Sequence, residues 1–327
     1  MAMTTSEERS SGGLIGSVGV VTTDNHKIGI GDFRSNGEYI PYGAGDPTED
    51  EQRIFRQWGP LNMSFDVRDL AVYPDTSRSA EGMRAIWQRT PWGSNTQLDG
   101  VLMVDPVFLQ ELTKISGNVT IPDGTVLTGD NTAEFLLNKV YVDYPVSMQD
   151  ALFAQVAEQA VGSMFSNIDL AKLTKVAQLM GSMAEGRHFS MYAFDETAEK
   201  TISDAGFTAQ TPSSEEHPQV GVYVTEQNPS KMGWYIHRTS KVTRSTCGND
   251  GSQTYHVEYK MTNTLENSQI GALTSYILGS GGQGVEKTLI YAPAGGSISN
   301  LKISGGSVTE SRQETLNGKP CMRAMPR

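Results

Sequence analysis

The chain has 327 residues, of which 37% are apolar and 19% charged, with 34 glycines, the composition of an ordinary globular protein somewhat rich in loops. That length suits two domains, each large enough to bury a core without staples. The net charge of −11 at neutral pH excludes a broad electrostatic footprint for nucleic acid or an anionic membrane surface, so any anion site must be local.

No apolar run reaches the roughly 18 to 20 residues of a membrane helix. The longest, residues 14–22, is broken by Gly16, Ser17 and Gly19. Residues 1–11 lack the charged and apolar regions of a signal peptide, and an upstream part of the protein is expected to have been removed. Residues 14–22 and 27–33 predict a β-hairpin. A short helix is expected over 49–58, a strand over 63–72, a helix over 76–90 and a buried strand over 100–104. Asp105 caps the next helix, which has Pro106 in its first turn and stops at Gly117. Further helices are predicted over 130–139, 147–165, 169–183 and 195–205, with a strand over 188–193.

Residues 211–218 have linker composition. Beyond them polar residues alternate with β-branched and aromatic ones over 220–225, 234–245, 254–263, 275–278, 287–292 and 300–303, the pattern of a β-sandwich. The expected domains are therefore α/β over 1–210 and all-β over 219–327.

Familiar catalytic signatures are absent. Gly29 and Gly31 open a dinucleotide-binding pattern, but Arg34 stands where the third glycine belongs. His26, His188, His217, His237 and His256 are scattered, each reading as a surface or core residue rather than a ligand. Cys247 and Cys321 either form a disulfide, as suits an extracytoplasmic protein, or remain two thiols. A local cationic constellation remains. Arg9 precedes Gly12 and Gly13, where exposed backbone N–H groups can face a phosphate with the guanidinium as bidentate partner; the alternative is a solvated arginine on a flexible terminus. Arg68 stands beside Asp69 at the end of the 63–72 stretch, positioned either for a ligand crevice or for a surface ion pair.

Several segments together resemble an actinobacterial, membrane-anchored envelope domain of unknown function. They include residues 9–17, Val67-Arg68-Asp69-Leu70 with Pro74 and Asp75, residues 98–106, and Leu127-Thr128-Gly129-Asp130-Asn131. The likeness continues through 135–141 and into the β-rich half at Gly221-Val222-Tyr223 and Ser230-Lys231-Met232. Such proteins carry an upstream transmembrane helix, which places this piece outside the cytoplasm.

The element order is also similar to the LytR-CpsA-Psr phosphotransferases, which move glycopolymers from polyprenyl-pyrophosphate carriers onto the cell wall. The resemblance implies a LytR-CpsA-Psr-like domain with a mixed central sheet, followed by an immunoglobulin-like sandwich. It further implies that Arg9, Gly12, Gly13, Arg68, Asp69 and Asp75 contact the ligand. Arg68 and Asp69 are the catalytic candidates, with Mg the metal required if catalysis occurs. Residues 130–159, however, hold only Lys139 as a cation, where that superfamily carries further arginines.

Three functions follow as expectations. The first is an extracytoplasmic protein binding a polyprenyl-phosphate lipid or cell-wall glycan with little or no catalysis. The second is an active phosphotransferase. The third is a purely structural surface protein that packs against other envelope proteins.

Overall fold

One of the strands that build the central sheet is inconspicuous in the sequence. The computed structural model describes residues 1–9, 12–24, 27–57, 61–166, 169–306 and 308–326. β1 (Ala2–Thr5) is wholly buried, and β2 (Leu14–Asp24) and β3 (Lys27–Ser35) form the expected antiparallel hairpin. β4 (Gly100–Val104) runs parallel to β1, with Ala2 opposite Met103 and Met3 opposite Val104. β5 (Val119–Thr120) and β6 (Val126–Leu127) make a small separate ladder. β7 (Phe189–Ala193) then closes the five-stranded mixed sheet in the order β3-β2-β1-β4-β7. Residues 1–5 pass for a terminus by composition, yet they supply the strand that joins the hairpin to β4.

The helices follow their caps. α1 (Ser6–Arg9) is one turn leaving β1. α2 (Thr76–Trp87) buries Ala80, Met83, Ile86 and Trp87 at helical spacing. α3 (Pro106–Ser116) starts from Asp105, whose side chain accepts the Phe108 N–H at 2.9 Å, and ends at Gly117 with φ +97°. α4 (Val146–Phe165) and α5 (Leu170–Glu185) form a helical pair, and α6 (Glu196–Asp204) is capped by Asp195. Three expectations need correction. Val67–Val72 is a 3-10 turn, not a strand, because the Asp66 carboxylate accepts the Arg68 N–H at 3.0 Å and caps it. Among the described residues, the helices expected over 49–58 and 130–139 are not simple α-helices. Glu49–Glu51 passes into a π-helical segment, Gln52–Arg56, and Thr132–Glu134 into another, Phe135–Lys139.

After residue 218 the strands are β8 (Gly221–Glu226), β9 (Ile236–Cys247), β10 (Gln253–Asn263), β11 (Glu286–Tyr291), β12 (Val308–Leu316) and β13 (Lys319–Pro326). Ser275–Leu278 is helical, and residues 300–303 form no strand. β12 and β13, unforeseen from the alternation pattern, pair instead. An antiparallel sheet of order β12-β13-β11-β8 and a separate two-stranded ribbon, β9-β10, stand in place of a self-contained immunoglobulin-like sandwich.

The apolar face of the four-stranded sheet turns toward the first half. Leu289, Tyr291, Leu316 and Cys321 join one core with Ile54, Phe55, Tyr73 and Ile86, while Met232, Ile236 and Ile277 join a second with Phe108, Leu136 and Val156. Polar groups complete the junction. Lys287 Nζ donates to the carbonyls of Ile54 (2.8 Å) and Phe55 (3.2 Å) at the π-helical segment, and Arg53 donates to the Thr315 carbonyl at 3.0 Å. The cysteines do not pair. Cys247 is exposed on the ribbon and Cys321 is buried in β13, both as free thiols.

Burial, and then the charge of Arg323, lowers the Lys287 pKa to about 7. Between that value and its ordinary one the unfolded chain binds the extra proton, so stability rises with pH across the interval. Lys287→Met keeps the aliphatic stem and removes this component. Denaturant titrations should show the advantage of wild type over the variant growing by about 2 kcal/mol between pH 7 and pH 9; a constant difference would refute the assignment.

Candidate functional site

The candidate residues near the start of the chain surround α1. Gly12 lies so near the Val67–Val72 turn that a Cβ would stand 1.7 Å from the Ala71 carbonyl oxygen. Gly13 has φ +81°, and a Cβ there would stand 2.7 Å from the Thr5 carbonyl. Close backbone packing thus accounts for both glycines. Ser10, Ser11 and the Arg9 side chain lie outside the described residues, so the expected meeting of Arg9 with Arg68 is not seen directly.

Arg68 is clasped by Asp66, through Nε to Oδ1 at 2.9 Å and Nη2 to Oδ2 at 2.6 Å. That bond, followed by the charges of Asp66, Asp69 and Glu8, holds the guanidinium pKa above its ordinary value despite partial burial. Asp69 is buried and turned to the loop before it, accepting from the Ser64 N–H (2.9 Å), Ser64 Oγ (3.0 Å) and the Phe65 N–H (3.2 Å). Asp75 accepts from the Thr211 N–H at 2.6 Å and its hydroxyl at 2.9 Å, tying residue 211 to the first half. Asp66, passed over in the sequence, is therefore the partner of Arg68.

On its other side α1 meets residues 231–235. A Cβ at Gly233 would lie 2.4 Å from Glu7 Cα. Lys231 pairs with Glu8 and stands over the rings of Tyr141 (4.5 Å) and Tyr276 (5.0 Å). The Tyr141 hydroxyl donates to Glu7, which is 1% exposed. Burial, reinforced by Glu8 and opposed by Lys231 and Tyr141, raises the Glu7 pKa to about 8.

Beside α1 opens a cavity of about 640 Å³. It lies at the carboxyl ends of the parallel pair β1 and β4, marked by Ser6 and Asp105, where α/β sheets hold ligands. Tyr73, Tyr223 and Tyr259 line it, the last from the ribbon, whereas Arg68 and Asp69 do not. A neighbouring cavity of about 400 Å³ shares Arg187, Val220, Tyr223 and Val242 with it and adds Pro212 and Tyr255.

Arg187, lining both cavities, adopts φ +60°, an uncommon conformation for a side chain of its size. Its guanidinium lies 4.9 Å from the Tyr223 ring centroid and donates to the carbonyls of Pro74 (3.1 Å) and Gln210 (2.5 Å) and to the Tyr223 hydroxyl (3.3 Å). These partners are neutral, and among the described residues no carboxylate forms an ion pair with it. His188 Nδ1 is 2.7 Å from Asp105 Oδ2; that hydrogen bond outweighs burial and raises the imidazole pKa. Neither residue was a sequence candidate. The signal was present as Arg187-His188 directly before β7, at the same sheet end as Asp105.

Among the described residues no group of three or more His, Cys, Asp or Glu side chains is placed to hold a metal ion. Nor is any described helix long and apolar enough to cross a membrane. Comparison with protein families matches residues 1–141 to DUF4012, described as a protein of unknown function. The match agrees with the likeness to a domain of unknown function and stops short of the β-rich half. No curated protein and no solved structure matches the chain.

Because the folded pKa of Glu7 lies above its unfolded value, its contribution to stability is complete below the ordinary carboxyl range and is lost as pH rises through about 8. Glu7→Gln should therefore gain on wild type by about 3–4 kcal/mol between pH 5 and pH 8.5 in denaturant titrations. Parallel pH profiles for the two proteins would show that Glu7 is ionised in the fold.

Proposed function

We propose that the chain is an extracytoplasmic envelope protein that binds a polyprenyl-phosphate-linked or cell-wall glycan in the cleft beside α1, with little or no catalysis. It follows the LytR-CpsA-Psr-like reading of the fold, anchored to the membrane through a segment outside this chain and working beside other envelope proteins. The observation that carries this reading is Arg187, a cation with neutral partners at the junction of two cavities. Its planar fork suits a phosphate, and His188 beside it adds a donor. The tyrosine rings offer flat apolar faces with polar edges, a lining suited to sugars.

Binding is favoured over transfer because Arg68 and Asp69 are both engaged within their own loop. A transferase needs such groups aimed at the reacting phosphate.

Titration calorimetry with a short-chain prenyl-phosphate disaccharide, and with the same disaccharide lacking phosphate, tests the proposal. Wild type should prefer the phosphorylated form. Arg187→Gln should weaken it about ten- to a hundredfold, the range of a charge-assisted hydrogen bond, while Arg187→Lys retains part of the affinity. Equal binding of both probes, or an unaffected Arg187→Gln variant, would sink the reading. Magnesium-dependent turnover that falls in Arg68→Ala would instead favour the phosphotransferase.

A further inference from the structure

β9 and β10 pair with each other from Asn263 opposite Ile236, through Val257 opposite Val242, to Gln253 opposite Cys247. Successive side chains alternate between faces. Tyr255, Val257, Tyr259 and Met261 are half-buried toward the body, whereas His256, Glu258, Lys260 and Thr262 are exposed, as are His237, Thr239, Lys241 and Thr243 across from them.

The charge of this ribbon departs from that of the chain. Within a protein of net charge −11, residues 236–263 carry Arg238, Lys241, Arg244 and Lys260 against Asp250 and Glu258. Arg238 is held by Glu286 at the base. Among the described residues Lys241, Arg244 and Lys260 enter no ion pair, while His256 is 3.8 Å from Glu258.

We infer that the outward face of the ribbon is a docking surface for a polyanionic chain bearing phosphates along its length. Lys260 opposite Thr239 and Lys241 opposite Glu258 occupy successive positions on this face, two residues apart, without converging on one point. Such an arrangement fits a linear polymer rather than a single small anion. The threonine hydroxyls of the same face supply further donors to phosphate oxygens. A bilayer is disfavoured by the turn at the far end, residues 248–252, which is Gly-Asn-Asp-Gly-Ser and offers nothing apolar to insert. The inference goes beyond the cleft and uses none of its anion-binding residues.

Fluorescence anisotropy of labelled linear polyphosphate with the full chain tests it. Binding should be salt-sensitive, and Lys241→Gln with Lys260→Gln should weaken it about tenfold and reduce the salt slope by about two contacts. Glu258→Gln should strengthen it, and Arg187→Gln should leave it within about twofold of wild type. The substituted side chains are exposed, so unchanged thermal melting verifies that each variant is folded. Undiminished binding by the double variant, loss confined to Arg187→Gln, absence of binding by wild type, or capture of phosphatidylglycerol vesicles in place of polyphosphate would each overturn the inference.

Discussion

One turn of helix, Ser6–Arg9, is gripped from two sides, and the relation between the halves of the molecule depends on that grip. Gly12 and Gly13 bring the chain against Ala71 and Thr5 on one side. On the other, Gly233 lets a later turn lie on the backbone of Glu7 while Lys231 reaches Glu8 between two tyrosine rings. Each glycine stands where a methyl group would strike main-chain atoms, which cannot swing aside as a side chain can. Charges taken out of water are tolerable only when paired, and removing Lys231 would break its pair with Glu8 at a buried junction. The packing and the electrostatics therefore fix the same contact.

The cleft is a consequence of this arrangement. The four-stranded sheet spends its apolar face on the first half, so the ribbon emerges without a sheet to cover it and overhangs the space beside α1. Tyr259 enters the cavity wall from that overhang, Tyr73 from the turn before α2, and Arg187 from the loop before β7. The cavity is thus made of elements remote in sequence, whose common feature is that they line the space at the carboxyl ends of β1 and β4. The conformation of Arg187 is held by two carbonyl acceptors and the Tyr223 ring, so its direction is set by the scaffold rather than by an opposing charge.

Elements with strong local signals were legible in the sequence. Asp105, Asp169 and Asp195 mark helix starts, and the alternation of β8 to β11 is visible by inspection. Tertiary context decided the rest. β1 is four residues of a terminus and becomes a strand only because β2 and β4 flank it. Residues 67–72 look like a strand until Asp66 caps them, and Ser275–Leu278 looks apolar and extended until Ile277 and Leu278 are drawn as a helical turn into the core. At the site, the glycines near the start were recognisable as special, but whether they serve a ligand or a close backbone contact is a question of what lies opposite. Arg187 carried only its place beside His188 before β7. Its distinction, neutral company, exists only once the chain has folded.

The two thiols stand in opposite chemical circumstances. Burial, opposed by the hydrogen bond with Tyr291, pushes the Cys321 pKa up to about 11, which suppresses its thiolate, whereas Cys247 is solvent-exposed near the free end of the ribbon. Electrophilic reagents will therefore discriminate between them in the unaltered protein. A spin label or fluorophore attached at Cys247 would ride on the overhang above the cavity, giving a native handle for following its movement in solution.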